Sequence, residues 1–144
     1  MKKVFVDTNI FIDLIADRRP FSKFALEIFD KAERKKVKLY TSSHVFASTH
    51  YLMKKYLDEK ALRELLSNLL EYVSSVAIDS EIIKISLKSK FKDFEDAIQI
   101  YAAHSIDKID CIVTRNLKDY KDAGIEVLSP EQLISLIDLF HNSK

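Results

Sequence analysis

Lys3-Val4-Phe5-Val6-Asp7-Thr8-Asn9-Ile10, near the start of the chain, and Cys111-Ile112-Val113-Thr114-Arg115-Asn116, near its end, are the two stretches whose reading decides the fold. The first is a β-branched and aromatic run that stops at a polar Asp-Thr-Asn step. Ile10, Leu14 and Ile15 then recur at helical spacing, so the segment reads as strand, turn, helix. The second is continuously apolar, the pattern of a parallel strand covered on both faces, and it too ends in polar residues.

Working outward, the same alternation continues. An amphipathic stretch over 22–35 carries Phe24, Ile28 and Ala32 on one stripe, with Pro20 before it as a stop. A strand is predicted over 38–41. Ser42 and Ser43 offer an N-cap for a helix to about 56, and a second helix from about 58 carries Leu62, Leu65, Leu66, Leu69, Leu70 and Val73. These two helices are expected to form a hairpin. Next come a weak strand over 74–78, a helix over 80–89, a basic link over 88–92 and a helix over 93–106. The last strand is placed at 126–128, and Ser129-Pro130-Glu131-Gln132 supplies an N-cap, a first-turn proline and a capping-box glutamine for a final helix. Short apolar strands alternating with helices predict an α/β fold, a parallel sheet of about five strands with helices on both faces. In such sheets ligands bind at the carboxyl ends of the strands, which directs attention to the polar residues just after Val6 and Val113.

Composition narrows the chemistry. The chain has 144 residues, 47% hydrophobic and 31% charged, which predicts a single domain over 1–144. Its only glycine is Gly124, so neither a P-loop nor a dinucleotide fingerprint, which need several glycines in one turn, is available. One cysteine, Cys111, allows no intrachain disulfide and no cysteine-rich zinc site. Asp7 and Asp13 interrupt the apolar start that an export signal would need, and no run approaches a membrane span. The expectation is a cytoplasmic protein with no membrane partner.

Asp7 comes directly after the first strand, Asn116 and Asp119 come after the 111–114 strand, and Asp93-Phe94-Glu95-Asp96 opens the long central helix. Taken singly, each is an ordinary cap or turn residue. Together they sit at strand and helix ends that a doubly wound sheet can bring to one crevice. Carboxylates crowded there repel, and hard oxygen donors without convergent His or Cys suit Mg²⁺ or Mn²⁺. The chemistry most naturally served is metal-assisted hydrolysis of a phosphodiester.

Three segments then resemble one family. Val4-Phe5-Val6-Asp7-Thr8-Asn9-Ile10, Asp93-Phe94-Glu95-Asp96-Ala97-Ile98-Gln99 and Ile112-Val113-Thr114-Arg115-Asn116-Leu117-Lys118-Asp119-Tyr120 look like the signature segments of the PIN domain family. The resemblance implies an α/β/α sandwich around a parallel sheet and a Mg²⁺- or Mn²⁺-dependent ribonuclease, including toxins of the virulence-associated protein C type. It places Asp7, Asp96 and Asp119 as metal ligands, with Asn116 and Asp93 beside them in the catalytic set. Thr8, Asn9, Ser48, His44, Thr114, Arg115 and Glu95 are expected to support these or to touch substrate. The implied partners are RNA, a cognate antitoxin and a second copy of the chain.

One departure stands out. The family pattern has a glutamate in the helix after the second strand, which falls near Ser48, but Val45-Phe46-Ala47-Ser48-Thr49-His50 contains no carboxylate. In that helix Val45, Thr49, Leu52, Met53 and Tyr56 are expected to be buried, while His44, Ser48, Tyr51 and Lys55 form a neighbouring stripe that borders the crevice. Asp93 or Glu95 is expected to make good part of the missing charge. The competing reading is a PIN-like RNA-binding or protein-interaction module without catalysis. A haloacid-dehalogenase-type phosphatase is disfavoured because Asn9 stands where it needs a second acid, and no acceptor aspartate for a phospho-receiver domain is present.

The net charge of +1 hides local clusters. Arg18, Arg19, Lys23, Lys31, Arg34, Lys35, Lys36 and Lys38 lie in one stretch, Lys88, Lys90 and Lys92 precede the acidic helix, and Arg115, Lys118 and Lys121 surround Asp119. Such local cations, rather than the total, govern phosphate contacts. The near-neutral sum predicts an acidic crevice set apart from a basic surface.

Overall fold

The computed structural model describes residues 1–142. Five strands, β1 (Lys2–Val6), β2 (Val37–Ser42), β3 (Val73–Val76), β4 (Cys111–Val113) and β5 (Glu126–Leu128), form one sheet in the order β3-β2-β1-β4-β5, every pair parallel. Seven helices connect and cover them: α1 (Thr8–Ile15), α2 (Phe21–Glu33), α3 (Ser43–Met53), α4 (Glu59–Leu70), α5 (Ser80–Lys88), α6 (Phe94–His104) and α7 (Pro130–Asn142).

The period-two geometry of the central strands builds the three layers. Val4 and Val6 of β1 and Cys111 and Val113 of β4 point to one face, where Ile10, Phe11, Ile28 and Leu133 of α1, α2 and α7 cover them. Phe5 and Ile112 point to the other face and meet Ile100, Ala102 and Ala103 of α6. The expected α/β/α sandwich with a five-stranded parallel sheet is therefore present.

Local signals behave as their chemistry demands. Ser42, Asp58, Asp79 and Asp93 each cap a helix through a side-chain oxygen. At α7 the capping box closes in both directions: Gln132 N–H donates to Ser129 Oγ (3.1 Å) and Ser129 N–H donates to Gln132 Oε1 (2.9 Å).

Several expectations need correction. Val73 belongs to β3 rather than to the helix before it, because that helix ends at Leu70 and only Leu62 and Leu69 of its leucines are buried. Helix α3 stops at Met53, and Leu52 and Tyr56 are 50% and 75% exposed, since the buried stripe is only the Val45, Thr49, Met53 row. The central helix ends at His104 rather than at 106. A short 3₁₀ turn, Leu117–Tyr120, comes after β4 and has no counterpart in the sequence pattern. Among its residues Tyr120 alone is buried, and it anchors the turn in the core.

Candidate active site

From β1 the chain proceeds outward on one side through β2 to β3, and it returns to the other side of β1 for β4 and β5. The boundary between β1 and β4 is thus the switch point at which open sheets form their crevice. Asp7 sits there at the end of β1, its N–H donating to Val113 O across the boundary (3.1 Å).

Asp7 is the base of the site, 7% exposed. Its Oδ1 accepts Thr8 N–H (2.7 Å), and its Oδ2 accepts the Thr114 hydroxyl (2.8 Å) and Asn9 Nδ2 (3.3 Å). Thr114 Oγ1 in turn accepts Asn9 Nδ2 (3.0 Å) and Asn116 N–H (3.0 Å), and Asn9 Oδ1 accepts Arg115 N–H (3.3 Å). The two sequence motifs are therefore laced into one network across the switch point. Burial pushes the Asp7 carboxyl above its ordinary value, opposed by the Thr114 hydroxyl, the Thr8 amide and the nearby Tyr120 side chain. The Tyr120 hydroxyl is buried near Asp7 but outside hydrogen-bonding geometry, and burial suppresses its ionisation.

Above Asp7 opens a crevice of about 270 Å³. Asp7, Thr8, Asn9, His44, Ser48, Glu95, Asp96 and Asn116 line it, so most of the residues singled out in the sequence share one space. Asp96, in the first turn of α6, is half-buried. Burial first, and then the charges of Asp93, Asp7 and Asp119, push its carboxyl up to about 7. On the wall supplied by α3, His44 Nε2 lies 3.1 Å from Ser48 Oγ and 3.5 Å from Glu95 Oε1. That wall holds an imidazole and a hydroxyl, and the carboxylate reaching it comes from Glu95.

The remaining candidates lie elsewhere. Asp93 and Asp119 line a neighbouring cleft that shares Asp96 with the crevice, and Asp93 Oδ1 is engaged in capping Asp96 N–H (2.9 Å). Arg115 turns its guanidinium away, onto the buried Asp13 (Nη2 to Oδ1, 2.9 Å) and over the Phe21 ring at 4.0 Å. Cys111 is buried within β4, its thiol pushed up to about 12 by burial, and takes no part.

Sequence reading missed Gln99 and Asp13, and it placed Arg18 only in a basic stretch for phosphate contacts, not at the crevice. Gln99 stands one turn beyond Asp96, lines the crevice and is 3% exposed, its Oε1 accepting the Ser42 hydroxyl (2.6 Å). The i, i+3 spacing from Asp96 was the available signal. Arg18 reaches the crevice because the turn ending α1 points it there, which no linear pattern shows.

Apart from the His44 imidazole, the groups facing the crevice and its neighbour that could hold a cation offer oxygen, chiefly Asp7, Asp96, Asp119 and Asn116. Among the described residues no three His, Cys, Asp or Glu side chains are gathered closely enough to hold an ion by themselves. Mg²⁺ asks for less, one or two carboxylates with water and substrate phosphate completing its shell, so the residues fit that class of ion.

A parallel sheet with helices on both faces and carboxylates crowded at its switch point defines the class, an α/β/α protein with an acidic crevice. Residues 3–118 match the family model described as PIN domain, and the chain belongs to the PIN domain family. It is similar to Ribonuclease VapC1 of Aquifex aeolicus (strain VF5), 29% identical over 136 residues that cover 91% of this chain and 92% of that protein. A toxin-antitoxin complex from Klebsiella pneumoniae has a similar chain at 28% identity and a TM-score of 0.62, covering 88% of this chain and 97% of that one. The fold also matches VapBC2 of Rickettsia felis bound to a promoter DNA fragment, with a TM-score of 0.64 at 18% identity over 88% of this chain and 98% of that one. No helix among the described residues is long and apolar enough to cross a membrane.

Proposed function

We propose that this chain, as a single PIN domain over 1–144, is a divalent-metal-dependent ribonuclease of the VapC kind that works in the cytoplasm. The observation that carries the reading is the crevice in which Asp7 and Asp96 face one space, with the Asp96 carboxyl pushed up to about 7 by burial first and then by the carboxylates around it. Asp7 and Asp96 are the principal ligands in this reading, with Asp119 and Asn116 on the 117–120 side. Mg²⁺ or Mn²⁺ held there supplies Lewis-acid polarisation of a phosphodiester and activation of a water. Thr114 and Asn9 hold the Asp7 carboxylate in one orientation, so the ligand is set before substrate arrives. Asp93 orders the first turn of α6 and thereby the position of Asp96. The relatives' description as toxin-antitoxin complexes supports a cognate antitoxin as protein partner, and a second copy of the chain is a further candidate.

A second reading has its own observation. Ser48 lines the crevice where the family resemblance expects a glutamate, and a site with one fewer carboxylate favours a PIN module that binds RNA without cutting it. Labelled single-stranded RNA incubated with the protein, with Mn²⁺, with chelator and with Asp96→Asn separates the two. Cleavage that needs Mn²⁺ and disappears in the variant is expected. Cleavage that survives chelator and substitution alike rules out the mechanism, and binding without cleavage under every metal condition establishes the inactive module.

A further inference from the structure

The neighbouring cleft, about 410 Å³, lies between the 90–93 link and the 3₁₀ turn and shares Asp96 with the crevice. Lys90 and Lys92 line one of its borders, and Lys118 and Lys121 the other. Asp93, Asp96, Asp119 and Asp122 line the same space, yet none of the four lysines forms an ion pair within 4.0 Å among the described residues. Elsewhere on the surface Lys84 pairs with Glu81, Arg34 with Asp30 and Arg63 with Glu59. Ammonium groups left unpaired on both borders of one cleft suit an anion that enters between them and has several charges along its length.

We infer that this cleft is the subsite that holds the RNA backbone on one side of the scissile phosphate. The inference rests on the ribonuclease reading. With Asp96 as common wall, a strand whose reacting phosphate lies against Asp7 and Asp96 continues directly between the two lysine pairs. The lysines contribute charge without a fixed donor geometry, so they hold phosphate in any sequence context. Arg18, another cation outside every ion pair among the described residues, lines the crevice itself and supports the strand there.

The test compares wild type, a variant with all four lysines changed to Gln, each border pair alone, and a control with Lys60→Gln and Lys84→Gln. Binding of fluorescein-labelled single-stranded RNA is measured in chelator across a salt series, and cleavage in Mn²⁺. The fourfold variant is expected to bind about ten- to a hundredfold more weakly at low salt. Its log–log salt slope should fall by about 2 to 3, since each phosphate contact on a single strand contributes about 0.7. KM should rise with kcat little changed, the mark of lost uniform binding, and the control should match wild type. All four lysines are exposed, and unchanged circular dichroism confirms folding. Wild-type affinity and salt slope in the fourfold variant, while wild type still cleaves RNA, overturn the subsite and leave the ribonuclease reading intact. A fall in kcat at unchanged affinity also overturns it, because that outcome means Asp96 has been disturbed. Absence of both binding and cleavage in wild type removes the two readings together.

Discussion

Asp7 is buried with three donors on its two oxygens, and the most consequential of them is the Thr114 hydroxyl, itself fully buried. Thr114→Val keeps the shape and removes that hydroxyl, leaving the carboxylate, Asn9 Nδ2 and Asn116 N–H each short of a partner. Stability should fall by about 2 kcal/mol, as for other buried hydrogen bonds to a charged group, measured by urea unfolding at pH 8. An unchanged midpoint would mean the network is not holding Asp7. Asp96 makes a second prediction. Its carboxyl is raised from 3.8 to about 7 in the folded chain, so between those values the native state binds the extra proton. Without metal, stability should therefore decline as pH rises through that window and level off above it. Asp96→Asn should flatten the decline. A wild-type curve that rises over pH 4 to 7, with no difference from the variant, would contradict a raised Asp96 carboxyl.

The elements carry the mark of a chain almost without glycine. Helix α2 ends in a Schellman motif, Lys36 N–H to Lys31 O (2.9 Å) and Lys35 N–H to Ala32 O (3.0 Å), with Lys35 at φ 60° where glycine is usual. Helix α1 ends the same way, with Asp17 at φ 49°, and this turn delivers Arg18 to the crevice. Lys35→Gly relieves the left-handed strain on a side chain and should stabilise the protein by about 1 kcal/mol, read as a higher denaturation midpoint. No gain would show that the strain is already relaxed. The lone Gly124 sits at φ 74°, with the His104 ring about 3.4 Å from where a Cβ would be. Between elements, the Asp13–Arg115 pair ties α1 to the segment after β4. Asp13→Asn should cost about 2 to 3 kcal/mol, because Arg115 loses its charge partner in a mostly buried setting. A variant as stable as wild type would show that the cation–π contact with Phe21 suffices. Strand and helix positions were legible in the sequence because they derive from period and capping, as at Ser129 and Gln132. The 3₁₀ turn and the buried Asp13 were not, since one depends on a single anchoring tyrosine and the other on a partner 102 residues away.

Across the whole molecule, the core clusters on the two sheet faces close without help from the carboxylate site. Chelator should therefore leave the fold intact by circular dichroism, and Mn²⁺ should raise the melting temperature progressively at pH 8 by mass action. The rise should be much smaller at pH 5, where Asp96 is protonated. No rise at either pH would argue against a cation in the crevice. The charge expectation needs revision at this scale. The near-zero sum does not reflect an acidic crevice remote from basic surface, because lysines and aspartates of the neighbouring cleft interleave.

Taken alone, the sequence determined the alternation of apolar strands with capped helices, the three motif segments and the absence of a helix glutamate at Ser48, because these are properties of residues near one another in the chain. Only the tertiary structure decided that β4 lies against β1, which places Thr114 on Asp7 across 107 residues and joins the acidic crevice to the lysine-lined cleft at Asp96. Strand order is set by packing among all the layers, and no local period encodes it.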